Sequence, residues 1–158
     1  MTRRWLSLSK HSIVLVGVRA ELRAVLDPNV IVSALLAPSG TPAKVLRAWL
    51  DGDYELIASP LLLAELTRVF DYPKLRSRIS ETESRQFIEL LKHQGEIVDD
   101  PDLSLPVHSS DPDDDYLIAL ATTTRSVVVS GDHHLLVLAN RLPVHSPASF
   151  LQLLIADH

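Results

Sequence analysis

The chain has 158 residues, 46% of them hydrophobic, which suits one compact domain with a sizeable core and gives no sign of a second. Its formal charge of −5 argues against a broad nucleic-acid-binding face, since non-specific affinity for phosphate backbones comes largely from lysine and arginine, but leaves room for a local basic rim. The absence of cysteine excludes disulfides, thiolate metal sites and a cysteine nucleophile, fits a reducing cytoplasm, and leaves carboxylate and imidazole chemistry.

Arg3 and Arg4 open the chain in the manner of a signal peptide, but Lys10 and His11 break the apolar run and no cleavage-site pattern follows. The unbroken piece, Ile13–Val18, is far short of the about 20 apolar residues a membrane span needs. A soluble, cytoplasmic protein with no membrane association is expected. Arg23–Asp27 (RAVLD) reads as a short buried strand ending in a carboxylate, and Asn29–Leu36 as a short helix stopped by Pro38-Ser39-Gly40. Thr41-Pro42 predicts a helix start, with Thr41 as the capping hydroxyl, and Asp51-Gly52 its stop; Ala43, Leu46, Trp49 and Leu50 form its apolar face.

Tyr54–Ser59 is a second strand, and Pro60 opens a helix whose apolar stripe of Leu61, Leu62 and Val69 also carries Glu65. Glu81–Gly95 is an amphipathic helix with Phe87, Leu90 and Leu91 inward and glycine as its stop. Glu96–Val98 is a third short strand, and the Pro/Asp/Ser-rich run Asp99–Ser110 a loop. Asp111 is a good N-cap and Pro112 a good first residue for the helix that continues through YLIALATTT. Ser126–Val129 is a buried strand followed by Ser130-Gly131-Asp132. A short helix (HHLLVLANR), an edge strand at Pro143–His145 and a closing helix from Pro147 to Ala156 complete the chain. Short strands alternating with helices predict an α/β domain with a mainly parallel central sheet flanked by helices.

In such a sheet functional groups collect beyond the carboxyl ends of the strands, so Asp27 and Asp132 can share a crevice that Glu65 and the aspartates of residues 111–115 join from helices. Crowded carboxylates raise each other's pKa, and a divalent cation relieves the repulsion; hard oxygen ligands select Mg2+ or Mn2+. Mg2+ keeps several waters and bridges carboxylates to phosphate, which points to phosphodiester hydrolysis. Each acid also has a plainer role. Asp27 serves equally well as a strand end capping the next helix, Glu65 as a side chain reaching out from the helix edge, Asp132 as a turn residue, and the aspartate cluster as a charge that complements the helix dipole. Helical spacing does not separate Asp114 from Asp115, because both sit one turn before Ile118. Asp111, Asp113 and Asp115 match the first ligand positions of an EF-hand, but Tyr116 and Thr122 stand where it needs glycine and glutamate. His133 and His134 lack the spacing of a helical zinc pair.

Taken in order, AVLDPNVIVSALL, SPLLLAELTRVF, DPDDDYLIALA and VVVSGDHHLL resemble the PIN-domain nucleases, especially the VapC-like toxins of bacterial toxin-antitoxin systems. The likeness runs from Arg23 to Leu154. The domain is set at residues 23–158, and residues 1–22 are either an N-terminal extension or an artefact of the assigned start codon. The resemblance implies a single PIN-like domain with metal acids at Asp27, Glu65, Asp115 and Asp132, and it is this motif that selects Asp115 over Asp114. Asn29 and Ser130 become supporting hydrogen-bonding groups, with Asp111 capping the helix that carries the third acid. Two departures stand out: Pro28 replaces the usual threonine or serine, removing a hydroxyl and a backbone donor, and His134 replaces an acid that many relatives carry. The implied activity is Mg2+- or Mn2+-dependent cleavage of RNA, in a homodimer held inactive by a cognate antitoxin, with Lys44, Arg47 or Arg68 meeting substrate phosphate. A non-catalytic PIN-like module that binds metal or protein is the alternative. A phosphatase of the haloacid-dehalogenase type ranks last, since Asn29 stands where its second aspartate belongs.

Overall fold

The computed structural model of the chain describes residues 22–102 and 114–156. The extension expected at residues 1–22 therefore lies, but for Leu22, outside the described residues, as do Asp111, Pro112, Asp113 and most of the loop before them. Strand β1 (Arg23–Leu26) leads into α1 (Pro28–Leu36) and α2 (Thr41–Leu50); β2 (Glu55–Ala58) is followed by α3 (Pro60–Phe70), α4 (Pro73–Arg76) and α5 (Glu81–Gln94). Then come β3 (Glu96–Ile97), α6 (Asp115–Thr124), β4 (Val127–Val129), α7 (His133–Leu136), β5 (Val144–His145) and α8 (Pro147–Ala156).

The five strands form one sheet in the order β3-β2-β1-β4-β5, and every pairing is parallel. Ala24, Val25 and Leu26 of β1 sit opposite Val127, Val128 and Val129 of β4, so the central pair is apolar throughout. That is the expected pattern for a parallel sheet covered on both faces. Helix α6 lies against β1 and β4, α3 against α1 and α5, and α2 against α8. The core includes the fully buried Phe70, Phe87 and Phe150, with Tyr54 set edge-on to Phe150 at 4.9 Å. The Tyr54 hydroxyl donates to Val45 O at 2.9 Å, so this buried phenol is satisfied locally.

Helix starts follow local chemistry with some shifts. Asp27 caps α1 by accepting from Asn29 N, and Ser59 caps α3 by accepting from Leu62 N. Ser80 and Glu83 form a reciprocal capping box on α5. At α2 the N-cap is Gly40, with Thr41 and Pro42 as the first two helical residues, so Thr41 is not the cap. Leu61 is 48% exposed, and the inner face of α3 is Leu62, Leu66, Val69 and Phe70, which keeps Leu62 and Val69 of the stripe read in the sequence and drops Leu61. The helix expected over HHLLVLANR stops at Leu136, after which tighter turns from Leu135 O and Leu136 O carry the chain to β5. At the α5–β3 junction a Cβ on Gly95 would stand 2.8 Å from Leu91 O, which explains a residue without a side chain there. Among the described residues no helix is long and apolar enough to cross a membrane.

Candidate active site

The strand order reverses its direction of growth between β1 and β4, and in open parallel sheets the crevice beyond the carboxyl ends at such a point is where ligands bind. Asp27 follows directly on β1, and Ser130-Gly131-Asp132 on β4. Asp27 is only 4% exposed, and its backbone N–H donates to Val129 O at 2.9 Å, locking the two strand ends together. Its Oδ1 accepts from Asn29 N at 3.0 Å and its Oδ2 from the Ser130 hydroxyl at 2.7 Å. Ser130 Oγ in turn accepts from Asp132 N at 2.9 Å, and Asp132 Oδ1 accepts from His134 N at 2.9 Å. A continuous chain of hydrogen bonds thus ties the first acid to the last.

Burial pushes the Asp27 carboxyl above its ordinary value of 3.8; the bonds from Asn29 and Ser130 pull it back down, while Asp132 and Glu65 push it up again. A buried carboxylate whose acidic neighbours raise it further is stabilised by any cation brought close to it.

Beside Asp27 a cavity of ≈ 470 Å³ is lined by Asp27, Pro28, Asn29, Leu61, Glu65, Arg68, Val69, Asp114, Tyr116 and Leu117. Glu65 reaches it from α3. Arg68, one turn on, forks onto that carboxylate: Nε donates to Oε1 at 3.1 Å and Nη2 to Oε2. Its Nη1 donates to the Tyr72 hydroxyl, and the guanidinium lies 5.4 Å from the Tyr72 ring centroid. Arg68 is the one cation among these lining residues.

The start of α6 contributes Asp114, not the Asp115 that the motif selects, to the cavity lining. Successive residues turn by about 100° on a helix, so adjacent aspartates face different directions. Asp114 is the N-cap and Leu117, three residues on, lines the same cavity, which puts both on one side of the first turn. Tyr116 stands beside them. Burial pushes its phenol well above the usual range, and Glu65, Asp27, Asp114 and Asp100 each add to the shift. Its Oη is buried and has no hydrogen-bond partner among the described residues. Asp100, also near these acids, accepts from Leu61 N at 2.9 Å and so helps cap α3.

The other sequence candidates fall differently. Asp132 lines a neighbouring hollow of ≈ 320 Å³ with Asn29, Gly131 and Pro147, so Asn29 borders both spaces. Lys44 is exposed on α2 and lines neither space, and Arg47 donates to Pro38 O at 3.0 Å, holding the turn between α1 and α2. Of the three basic candidates only Arg68 reaches the acids. Asp111 lies outside the described residues. Asp114 was open to selection in the sequence because spacing allowed it as readily as Asp115. Tyr116 read only as part of an apolar helix body, and Asp100 sat in a loop with no signal.

Asp27, Glu65 and Asp114 offer the hard oxygen donors that Mg2+ and Mn2+ take. Among the described residues, however, no three Asp, Glu or His side chains stand together as a ready ligand set, and Arg68 occupies both oxygens of Glu65. Mg2+ needs only one or two carboxylates, with water filling its other positions, so the donor chemistry fits even without a closed cage.

The comparisons agree with this architecture. The PIN domain profile matches residues 23–134. An uncharacterized protein of Methanocaldococcus jannaschii, MJ1680, is 25% identical over 144 residues, covering 85% of this chain and 92% of the relative. The crystal structure of PAE2754 from Pyrobaculum aerophilum superposes with a TM-score of 0.58 at 15% identity, covering 85% of this chain and 90% of that one. FitAcB from Neisseria gonorrhoeae gives a TM-score of 0.51 at 22% identity, over 79% of this chain and 98% of its own. These two structures share the fold.

Proposed function

Because the chain belongs to the PIN domain family, whose members are generally nucleases, we propose that it is a divalent-metal-dependent endoribonuclease, the toxin of a toxin-antitoxin pair. The observation that carries this reading is the meeting of Asp27, Glu65 and Asp114 around one cavity, with Asp132 joined to Asp27 through Ser130. Asp27 and Asp114 would hold Mg2+ or Mn2+, with Glu65 as a further ligand or the holder of a bound water once Arg68 lets it go. Asp132 acts through Asp27, and Asp115 stays the alternative third acid.

When bound, the cation supplies charge neutralisation for the phosphodiester and activates water for in-line attack. The chain's own residues prepare that chemistry. Ser130 and Asn29 N fix the Asp27 carboxylate in one orientation, and their donation favours its ionised form against the pull of burial. Arg68, freed from Glu65, is the cation within reach of a substrate phosphate. Leu61 and Leu117 give the cavity an apolar wall. The same reading makes the protein cytoplasmic and homodimeric, and restrained by an antitoxin that covers this cavity; the sequence resemblance supports those three points.

A non-catalytic module is the second reading, favoured by the guanidinium already seated on Glu65. Purified protein incubated with RNA and Mg2+ or Mn2+ separates the two. Cleavage that disappears in Asp27→Asn, with the circular dichroism spectrum unchanged, supports the nuclease; a mutant as active as wild type sinks it. Metal-induced stabilisation with no cleavage of any RNA supports the module.

A further inference from the structure

Resting on the ribonuclease reading, we infer that Tyr116 is a positioning residue whose hydroxyl donates a hydrogen bond to a non-bridging phosphate oxygen of RNA in the acid-lined cavity. The lining has a chemical imbalance. Asp27, Glu65 and Asp114 are acceptors when ionised, and the non-bridging oxygens of a phosphodiester are acceptors too, so substrate cannot hydrogen-bond to those acids and needs donors. Arg68 holds Glu65 and Tyr72 in this structure and turns to a phosphate only after it leaves Glu65. The backbone N–H of Asn29 is committed to Asp27. Tyr116 adds a donor that no protein group holds: it lines the cavity, and its buried Oη has no hydrogen-bond partner among the described residues.

Buried polar atoms are nearly always paired, so the unpartnered hydroxyl of a residue that lines the cavity is a group that a ligand atom can satisfy. The contrast with Tyr54 sharpens the point. That phenol is also buried, but its hydroxyl is held by Val45 O and serves the core. A phenol carries its proton at neutral pH, so Tyr116 arrives as a donor without any change of state. Its place at the start of α6, two residues after Asp114, sets the donor next to the acids that would hold the metal, where one phosphate can meet both.

The test compares wild type with Tyr116→Phe, which keeps the ring and removes only the oxygen. Affinity for a fluorescein-labelled RNA pool of random sequence is measured by anisotropy in Ca2+, used in place of Mg2+ to hold off cleavage, and thermal melting is recorded on the same samples. RNA affinity is expected to fall about ten- to a hundredfold, the range for a hydrogen bond to a charged group. Mn2+ affinity should stay unchanged, and Tm should be unchanged or higher, because the variant removes a buried hydroxyl that no protein group satisfies. A structural hydroxyl predicts the reverse, a lower Tm with RNA affinity intact, and that result overturns the assignment. RNA binding by Tyr116→Phe within twofold of wild type overturns it as well, while leaving the ribonuclease reading standing. Wild-type protein that neither binds nor cleaves RNA overturns both.

Discussion

Ser130 Oγ lies 2.7 Å from Asp27 Oδ2 although 103 residues separate the two, and both side chains are almost wholly buried. The hydroxyl donates to the carboxylate while accepting from Asp132 N, so it joins the end of β1 to the turn after β4. It also lowers a carboxyl pKa that burial raises.

Ser130→Ala should therefore destabilise the domain by about 1–3 kcal/mol at neutral pH, the cost of leaving buried partners unsatisfied. The pH dependence has a definite sign. The folded pKa of Asp27 lies above the ordinary value of 3.8, so its contribution favours the fold below that value and is lost as pH rises through the folded pKa. Removing Ser130 raises the folded pKa further, and the variant's deficit should grow from acid to neutral pH. Urea unfolding across that range checks it. A deficit constant with pH means the hydroxyl does not act on the carboxylate charge.

Much of this architecture was legible in the chain. The apolar runs AVL and VVV became the central pair because they are short, wholly apolar and bounded by polar or turn residues, and Pro60, Asp51-Gly52 and Gly95 marked helix ends as their backbone chemistry demands. Asp27 and Asp132 could be paired in advance because residues following neighbouring parallel strands share one edge of a sheet, while Ser130 entered only through the family motif. What could not be read was angular detail. Leu61 and Leu62, like Asp114 and Asp115, are neighbours whose facing depends on where the helix begins, and a shift of one residue turns the face by about 100°. Arg47 carried no sign that Pro38 O would hold it, since that contact depends on how tightly the α1–α2 turn closes.

The fork between Arg68 and Glu65 gives a second test. The pair is an exposed i,i+3 contact, with side chains 57% and 34% accessible, so it contributes little to stability. Arg68→Gln should leave Tm close to wild type. Two binding constants should move in opposite directions: Mn2+ affinity rises, because Glu65 loses its competing cation, and RNA affinity falls, because the cavity loses its one lining cation. Calorimetric Mn2+ titration and RNA anisotropy read these separately. A fall in both would mean that Arg68 supports Glu65 as a ligand, and a fall in neither that the fork is a surface contact alone.

The last test concerns which aspartate of the α6 start serves the metal. Asp114 lines the cavity with Asp27 and Glu65, whereas Asp115, the residue a motif comparison selects, is absent from that lining. Each carboxylate that ligates a catalytic cation is hard to replace by an amide, which keeps the shape but lacks the charge that neutralises it. Asp114→Asn is therefore expected to lower metal-dependent RNA cleavage by at least about a hundredfold, the scale of losing one such charge at a reacting centre. Asp115→Asn should stay within about tenfold of wild type, since helix-start charges away from the cavity act mainly through the dipole. Measuring cleavage by both variants at saturating Mn2+ decides it, with Mn2+ affinity separating lost binding from lost chemistry. The opposite order of effects would return the third acid to Asp115 and mean that the first turn of α6 rotates when metal binds.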